Sequence, residues 1–280
     1  MQVQHESLFQ ALLANPHDDA VRWVYADWLE EQGQGERAEL IRVQMQLATT
    51  AWDEEGHPKL LIREQQILRE FGQSWQPEPQ PGMTWGRFHR GWVDSVVVED
   101  LQRLRTDAVQ WFNLAPITRL EVPMSHLTSV SASELATMPV LNRFRELNLR
   151  VNQLGDSGVK ALCRSPMISG LQVLDLSYNY LSSPALQYLG KCQFLGRLKV
   201  LNLQGNLISD LGLHTLANSR FLLHLSQLNL RGNQITLRGA KALLNSPNFP
   251  DLKYLDLTRN HLSTAEARSL RGQQPCEVVA

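Results

Sequence analysis

The second half of the chain repeats one pattern of apolar and polar positions every 27 residues. Each copy has a leucine, a polar residue and a second leucine, followed by a polar stretch that contains an asparagine. The copies begin LNLRVNQL, LDLSYNYL, LNLQGNLI, LNLRGNQI and LDLTRNHL, at Leu147, Leu174, Leu201, Leu228 and Leu255. Because side chains alternate between the two faces of a strand, this pattern predicts a short strand with one buried face.

Further apolar positions flank each of these strands. One precedes the strand, at Phe144, Leu171, Leu198, Leu225 and Leu252, and another follows at helical spacing, at Leu162, Leu189, Leu216, Leu243 and Leu270. Each copy is therefore predicted to form a strand, a turn and a helix. Neither element can bury its apolar face alone, so the copies must stack. Strands stack at about 4.8 Å and helices pack at about 8–10 Å, so we expect a curved array with the strands inside.

This pattern resembles the leucine-rich repeat family, in its longer, helix-bearing subtype similar to ribonuclease inhibitor, over about residues 116–272. The resemblance implies an α/β fold: a leucine-rich repeat solenoid with a parallel concave sheet and a helical convex side, which a small all-helical domain precedes. A copy at Leu120 keeps the apolar positions but has Ser125 in place of the asparagine. The array therefore begins imperfectly there.

Two sets of recurring polar and small residues are interpreted as structural. An asparagine recurs at the end of each strand, at Asn152, Asn179, Asn206, Asn233 and Asn260. Its amide, pointing inward, can form hydrogen bonds with backbone groups of the turn that have no partner in the sheet. Glycines recur where the chain enters the helix, at Gly158, Gly212 and Gly239. They predict a close backbone approach or a special dihedral angle, and Pro184 interrupts their pattern.

The strand positions between the leucines are expected to face the concave side. They are polar either because they meet water or because they bind a partner, and we favour a partner-binding surface. The predicted contact residues are Glu121, Asn148, Arg150, Asp175, Ser177, Tyr178, Asn202, Gln204, Asn229, Arg231, Tyr254, Asp256, Thr258 and Arg259.

Four amphipathic segments precede the repeats, and their apolar spacings of three and four predict helices. They are HESLFQALLANP, DDAVRWVYADWLEEQG, GERAELIRVQMQLAT and HPKLLIREQQILREFG. In the second segment we expect Asp18 to cap the helix, and Val21, Val24 and Trp28 to share a face. Trp23 and Trp28 are predicted to belong to the core of a small bundle.

The second and third segments carry a more specific motif. It comprises Asp18-Asp19, Arg22, Tyr25-Ala26-Asp27-Trp28-Leu29, Glu36-Arg37-Ala38-Glu39 and Arg42-Val43-Gln44. The motif is similar to a repeat-companion domain found ahead of repeats in bacteria such as planctomycetes and myxobacteria. That resemblance implies a bacterial origin and no assigned enzymatic activity. From the residues themselves, ion pairs that orient the helices are expected among Asp27, Glu30, Arg37 and Arg42.

The remaining segments complete the predicted organisation. The helical domain covers residues 1–72, and a stiff proline-rich linker covers 73–86. A degenerate repeat over 87–115 is expected to cap the array, the repeats cover 116–272 with TAEARSLRGQQ as the closing helix, and 273–280 is a tail.

Composition narrows the classes of function. The 280 residues have a net charge of −1, but residues 1–75 hold thirteen Asp and Glu against six Lys and Arg, which leaves −7 there and +6 in the rest. We attribute the acidic part to a solvated helix face rather than a docking patch. No basic cluster with aromatic residues predicts nucleic-acid binding. No membrane span or secretory signal is evident, and three cysteines suit a reducing compartment, so we expect a cytoplasmic location.

The sequence offers no candidate for catalysis. Cys163 and Cys192 occupy positions of small packing residues, and Cys276 has no histidine-rich element nearby. The histidines lack metal-ligand spacing, so we predict no metal, no cofactor and no enzymatic activity. We expect a non-catalytic scaffold or adaptor that binds a protein, with a stoichiometric inhibitor or regulator of an enzyme as the alternative and an enzyme of unrecognised type third. The sequence leaves the partner and the oligomeric state open.

Overall fold

The computed structural model describes residues 2–50, 54–123, 127–271 and 276–280. Its contacts divide the chain into two compact units, Met1–Thr118 and Arg119–Ala280. Ser125, which the sequence places at the imperfect start of the array, lies outside the described residues. The finer domain boundaries drawn from the sequence stay a prediction.

The first unit begins with helices and continues with short strands. The helices are α1 (Gln2–Ala14), α2 (Asp19–Glu31), α3 (Gly35–Leu47) and α4 (His57–Phe71), followed by a 3-10 turn over Gly72–Trp75. Strands β1 (Met83–Trp85) and β4 (Ser95–Val98) pair antiparallel, and they enclose a hairpin of β2 (Phe88–His89) and β3 (Trp92–Val93). Helix α5 (Leu101–Trp111) follows.

The hairpin shares a core with the first three helices. Trp92 from β3 lies 6% exposed in a cluster with residues of α1, α2 and α3, and its ring meets that of Tyr25 edge to face at 5.0 Å. Gln44 of α3 fixes the hairpin turn, because its Oε1 accepts a hydrogen bond of 2.7 Å from the Gly91 N–H. A segment that the sequence assigned to a capping repeat thus packs with the helices.

Helix α2 confirms part of its predicted pattern. Asp18 is the N-cap and accepts from the Ala20 N–H at 3.0 Å, and Trp28 is buried. The prediction was wrong for Trp23, which is 40% exposed, and for Val24, which is 54% exposed. The reason is that α2 buries a neighbouring face.

The face that α2 buries includes a charged residue, which an apolar count cannot find. Arg22 is 2% exposed because its Nη1 donates to the Arg90 carbonyl and its Nη2 to the Pro16 carbonyl, both at 2.7 Å. Tyr25 and Leu29 continue this face along the helix. Hydrogen bonds from both Nη atoms to backbone carbonyls thus allow a guanidinium to take a core position.

The predicted ion pairs form in part. Arg42 of α3 reaches Asp27 at 2.8 Å and Glu30 at 2.6 Å on α2, so this pairing is confirmed. The prediction was wrong for Arg37, whose guanidinium lies against aromatic rings instead of a carboxylate. Arg37 and Arg42 lie on different faces of α3, so their guanidinium groups meet different neighbours.

The second unit is a stack of parallel strands, each joined to the next by a helix. The strands are β5 (Arg119–Glu121), β6 (Glu146–Asn148), β7 (Val173–Asp175), β8 (Val200–Asn202), β9 (Gln227–Asn229), β10 (Tyr254–Asp256) and β11 (Glu277–Val279). The helices are α6 (Ser129–Ala136), α7 (Gly155–Cys163), α8 (Ser183–Gly190), α9 (Asp210–Leu216), α10 (Leu237–Leu244) and α11 (Thr264–Leu270). Short 3-10 turns over Pro139–Arg143, Pro166–Ile168 and Gln193–Leu195 precede three of the strands.

The strands pair in the register that the 27-residue period requires. Leu147 lies opposite Leu174, and Leu201 opposite Leu228, with every pairing parallel. The anchor leucines and the leucines of the helices are buried between the two layers. The α/β leucine-rich repeat solenoid predicted from the sequence is confirmed.

The last strand was not predicted. Residues Glu277–Val279 lie in the segment that the sequence left as a tail, and they pair parallel with β10, with Val278 opposite Leu255. Val278 is 5% exposed, so it covers the apolar end of the last repeat. Its apolar residues are two valines, and so short an apolar pattern is not enough to predict a strand from the sequence.

The recurring glycines allow the helices to pack closely. A Cβ on Gly158 would lie 3.3 Å from the Cβ of Ala132 in the preceding helix, and one on Gly212 would lie 3.2 Å from the Cα of Ser183. Neither glycine has a positive φ, so close approach is the reason for them and a special dihedral is not. Pro184 falls in the first turn of α8, where a missing N–H costs nothing.

Candidate functional site

The recurring asparagines at the strand ends are turned inward and bond to the backbone. Asn206 is 5% exposed, its Oδ1 accepts from the N–H groups of Asn179 and Leu181 at 2.9 and 3.0 Å, and its Nδ2 donates to the carbonyls of Leu176 and Leu203 at 3.1 and 2.9 Å. The other copies make equivalent bonds, at Asn152, Asn179, Asn233 and Asn260. These side chains thus hold the loops from which the concave surface is built.

A second column of polar residues also bonds to the backbone. In each repeat, the Oδ1 of the last strand residue accepts the N–H of the residue two positions on, at distances from 2.8 to 3.1 Å, in Asn148, Asp175, Asn202, Asn229 and Asp256. Asn and Asp side chains favour this turn. Their recurrence as amide or acid therefore has a local structural cause.

Neighbouring repeats are joined by side-chain hydrogen bonds across the concave face. Asn202 donates to Asp175 at 2.8 Å, and Arg231 donates to Thr258 at 3.1 Å. Asn148 also approaches Glu121 at 3.5 Å. The polar face is thus held in a fixed arrangement by its own bonds.

The predicted contact residues differ in their exposure. Ser177 is 1% exposed and Asp256 is 8% exposed, so neither offers its side chain to a partner. Each is drawn inward by a turn, because the Ser177 and Thr258 hydroxyls both donate to the aspartate of their own repeat at 2.6 Å. The exposed members are Arg150, Tyr178 and Arg259, and the half-buried ones are Glu121, Asn148, Asp175, Asn202, Gln204, Asn229, Arg231, Tyr254 and Thr258.

One position in each repeat has a left-handed backbone. It has φ of 67° at Gly205 and 65° at Gly232, where glycine adopts it without strain. In the other repeats it has φ of 57° at Val151, 55° at Tyr178 and 58° at Arg259. A side chain in this conformation costs about 1–2 kcal/mol, so these three residues keep it against a local preference.

The ring of Tyr178 is fixed by its neighbours. A Cβ on Gly205 would lie 2.3 Å from Cε1 of the ring, so only glycine leaves room for the ring to lie across the next repeat. Gln204 Nε2 donates to the Tyr178 hydroxyl at 2.6 Å, and the Arg150 guanidinium carbon lies 5.5 Å from the ring centre. Tyr178 as a whole is nevertheless 40% exposed.

These residues form a concave pocket of about 560 Å³ at the end of the strands. We call it the tyrosine cleft, and it is lined by Arg150, Val151, Asn152, Gln153, Tyr178, Tyr180 and Gly205. Tyr180 is 67% exposed and also has a positive φ, of 58°.

Sequence reasoning missed Tyr180, although a signal was present. It is the second tyrosine of LDLSYNYL, where the other copies have Gln153, Leu207, Gln234 and His261. Of the fourteen predicted contact residues, the cleft contains Arg150 and Tyr178. Tyr254, Asp256, Thr258 and Arg259 lie in the last repeat, outside the cleft.

The thiols lie outside the tyrosine cleft. The Cys192 thiol donates to the Cys163 carbonyl at 3.4 Å, and the interaction of the two thiols raises the pKa of Cys163 and lowers that of Cys192. Burial raises the pKa of Cys276 to about 11, and burial also raises the pKa of Tyr254. Across the described parts of the chain, no group of three or more His, Cys, Asp or Glu side chains is placed to hold a metal ion. None of the helices in those parts combines the length and apolarity needed to cross a bilayer.

Comparison with known proteins agrees with the repeat register. One family model, described as Leucine Rich repeat, matches residues 143–163 and 222–244, and a second, described as Leucine Rich Repeat, matches residues 170–192. These segments contain leucine-rich repeats. No curated protein matches the chain.

Several solved structures are similar at low identity. The mouse RP105/MD-1 complex is 24% identical with a TM-score of 0.37, over 53% of this chain and 22% of that one. An internalin (InlF) from Listeria monocytogenes is 21% identical with a TM-score of 0.39, over 65% and 50%. A protein from Bacteroides fragilis is 12% identical with a TM-score of 0.32, over 59% and 65%. The chain thus spans less than two thirds of the length of each of these structures.

Proposed function

We propose that this protein is a non-catalytic scaffold that binds a protein partner on the concave face of its repeats, with the tyrosine cleft as the anchor point. The observation that supports the proposal is the state of Tyr178. Its ring is exposed on a backbone with φ of 55°, yet Arg150, Gln204 and Gly205 fix its position. The left-handed φ recurs at this position in the other repeats, so what distinguishes Tyr178 is an exposed aromatic side chain that its neighbours fix in one place.

A fixed aromatic ring suits binding for a physical reason. Tyrosine supplies a large contact area with few rotatable bonds, so little side-chain entropy is lost when a partner covers it. Residues that contribute most to binding free energy are enriched in tyrosine, tryptophan and arginine. The cleft combines Tyr178 and Tyr180 with Arg150 in this way.

The surroundings of the cleft indicate the partner's chemistry. Val151 is 39% exposed within the cleft, and Leu207 is 49% exposed at the position that corresponds to Tyr180 in the next repeat. We expect the partner to insert an apolar side chain between the tyrosine rings. An acceptor on the same partner segment would meet the Arg150 guanidinium.

Several finer attributes belong to the same proposal. We assign the repeats to the subtype similar to ribonuclease inhibitor, and residues 5–50 to the repeat-companion domain, on the motifs described above. A bacterial origin follows from that assignment. A cytoplasmic location is supported by three free cysteines, Cys163, Cys192 and Cys276.

The test is a matched capture experiment with purified protein. A photo-crosslinker at Gln153, in the wall of the cleft, captures partners that occupy it, and binding of each captured protein is then measured directly. The test variant is Tyr178→Gly with Tyr180→Ala, because glycine occupies the corresponding backbone position at Gly205 and Gly232. The control is Tyr188→Ala, since Tyr188 lies on helix α8 of the convex layer, beside Lys160.

The outcomes separate the two faces of the solenoid. The proposal is supported if a captured partner binds the control as tightly as the wild type. The same partner must bind the cleft variant at least about tenfold more weakly. A partner that binds the cleft variant and the wild type equally contradicts it. Circular dichroism spectra of all variants establish that each is folded before binding is compared.

A further inference from the structure

The first unit contains a cavity of about 260 Å³ with Arg37 in its wall. The Arg37 guanidinium carbon lies 4.8 Å from the ring centre of Trp75, 5.4 Å from that of Phe88 and 5.6 Å from that of Trp92. Three aromatic rings therefore surround one cation. We call this cavity, whose wall includes the rings of Trp75 and Trp92, the Arg37 cavity.

Arg37 differs from Arg22 and Arg42 of this unit in the partners of its Nη atoms. Its Nη1 is enclosed and has no hydrogen-bond partner among the described residues, which also supply it no carboxylate. Arg42 on the same helix pairs with two carboxylates, and Arg22 donates from both Nη atoms to backbone carbonyls. Desolvation lowers the pKa of Arg37 to about 10, so the guanidinium remains charged at neutral pH.

The wall of the cavity offers hydrogen-bond donors and apolar rings. Among its described lining residues are Tyr25, Gln34 and His5, and none of the lining residues is acidic. Burial raises the pKa of Tyr25 to about 12, so its hydroxyl keeps its proton and can donate. A desolvated cation without an anion is costly, and the described residues that line the cavity do not provide an anion.

We propose that the Arg37 cavity binds a small organic monocarboxylate with a flat aromatic body. A carboxylate matches the fork of guanidinium donors and supplies the missing negative charge. The rings of Trp75 and Trp92 then contact the flat body of the ligand. Pockets for drug-sized ligands have about 300–1,000 Å³, so a cavity of about 260 Å³ suits a small molecule with a single aromatic ring or one fused ring system.

This site is independent of the tyrosine cleft, which lies in the repeats. A small carboxylate held between helix α3, Trp75 and the hairpin would tie these three segments together. Its binding would therefore stabilise the first unit against unfolding, since a ligand that binds only the folded state raises its stability.

The experiment uses the full chain and the probes benzoate, phenylacetate and indole-3-acetate, with benzamide as the neutral counterpart of benzoate. Binding is measured by calorimetry and by the change in tryptophan fluorescence, because Trp75 and Trp92 line the cavity. At least one acid is expected to bind saturably, to raise the unfolding temperature and to bind about ten- to a hundredfold more tightly than its amide.

Matched variants of one helix establish the role of Arg37. Arg37→Met is expected to abolish binding of the acid, whereas Arg42→Met, the same change at a half-buried position of α3 outside the cavity, is expected to leave it unaltered. Because Arg37→Met also removes an unpaired desolvated charge, we expect its unfolding temperature without ligand to equal or exceed that of the wild type. A structural role alone would lower it.

Three results would overturn the proposal. The first is the absence of saturable binding for all three acids at millimolar concentration. The second is equal affinity for benzoate and benzamide, which would show that the charge is not recognised. The third is acid binding that survives in Arg37→Met while the variant remains folded, which would place the ligand elsewhere.

Discussion

Replacing Asn206 by alanine should destabilise the solenoid more than the same change at Asn260. The Asn206 Oδ1 accepts from two buried backbone N–H groups, those of Asn179 and Leu181, whereas the Asn260 Oδ1 accepts from one, that of Ile235. Asn206 is 5% exposed and Asn260 is half-buried in the last full repeat. The two positions thus differ in how many donors lose their acceptor and in whether water can replace it.

The magnitude follows from these orphaned groups. A buried polar group left without a partner costs about 1–3 kcal/mol, so Asn206→Ala should cost about 2–6 kcal/mol. Asn260→Ala orphans one N–H and should cost about 1–3 kcal/mol, with water relieving part of it. We therefore expect the ratio of the two losses to be about two or more.

Urea unfolding followed by circular dichroism measures both losses. Amide hydrogen exchange at Leu181 adds a local measurement, because this N–H depends on Asn206 for its acceptor. Repeat arrays can unfold in parts, and the exchange rate detects such local opening. Equal losses for the two variants, or a larger loss at Asn260, would refute the reasoning from orphaned donors.

Three further predictions concern the cleft, a helix pair and a thiol. Gly205→Ala should displace the Tyr178 ring and lower the free energy of unfolding by about 1–3 kcal/mol, measured by urea unfolding; an unchanged tyrosine environment in NMR spectra would contradict the fitted ring. The hydrogen bonds from Arg63 lower the pKa of Glu39 below its usual value of 4.5, so the stability it contributes is present above that pH and is lost as the pH falls through the lowered pKa; Glu39→Gln should flatten this part of the acid unfolding curve. Cys276, with its pKa of about 11, should react with a thiol reagent at pH 8 more slowly than a free cysteine, and denaturant should remove the difference.

The fold of the repeats follows from the sequence to an unusual degree. A strict 27-residue period places equivalent leucines opposite each other, and the observed register between Leu147 and Leu174 is the one the period demands. The copies reinforce one another, so a weak strand signal in one copy is supported by its neighbours. The strand at Glu277–Val279 has no such support, and its pairing with β10 depends on the exposed edge of the last repeat.

The helices of the first unit show which features a local sequence pattern can predict and which it cannot. Asp18 was recognised as a cap because capping depends on residues adjacent in sequence. The buried face of α2 depends on what surrounds the helix on several sides, so Trp23 was assigned to the core and Arg22 was not. An arginine is buried only when carbonyls from distant segments meet it, as those of Pro16 and Arg90 do.

The sequence by itself determined the repeat, its register and the asparagine positions, because these depend on residues at fixed separations along the chain. The tertiary structure alone decided which polar side chains are available. In the tertiary structure Ser177 is buried, whereas Tyr180 is exposed beside Tyr178. Arg37 lies among aromatic rings, whereas Arg42 on the same helix pairs with two carboxylates. The physical reason is that burial and charge pairing arise from segments far apart in sequence, and no local pattern records which of them meet.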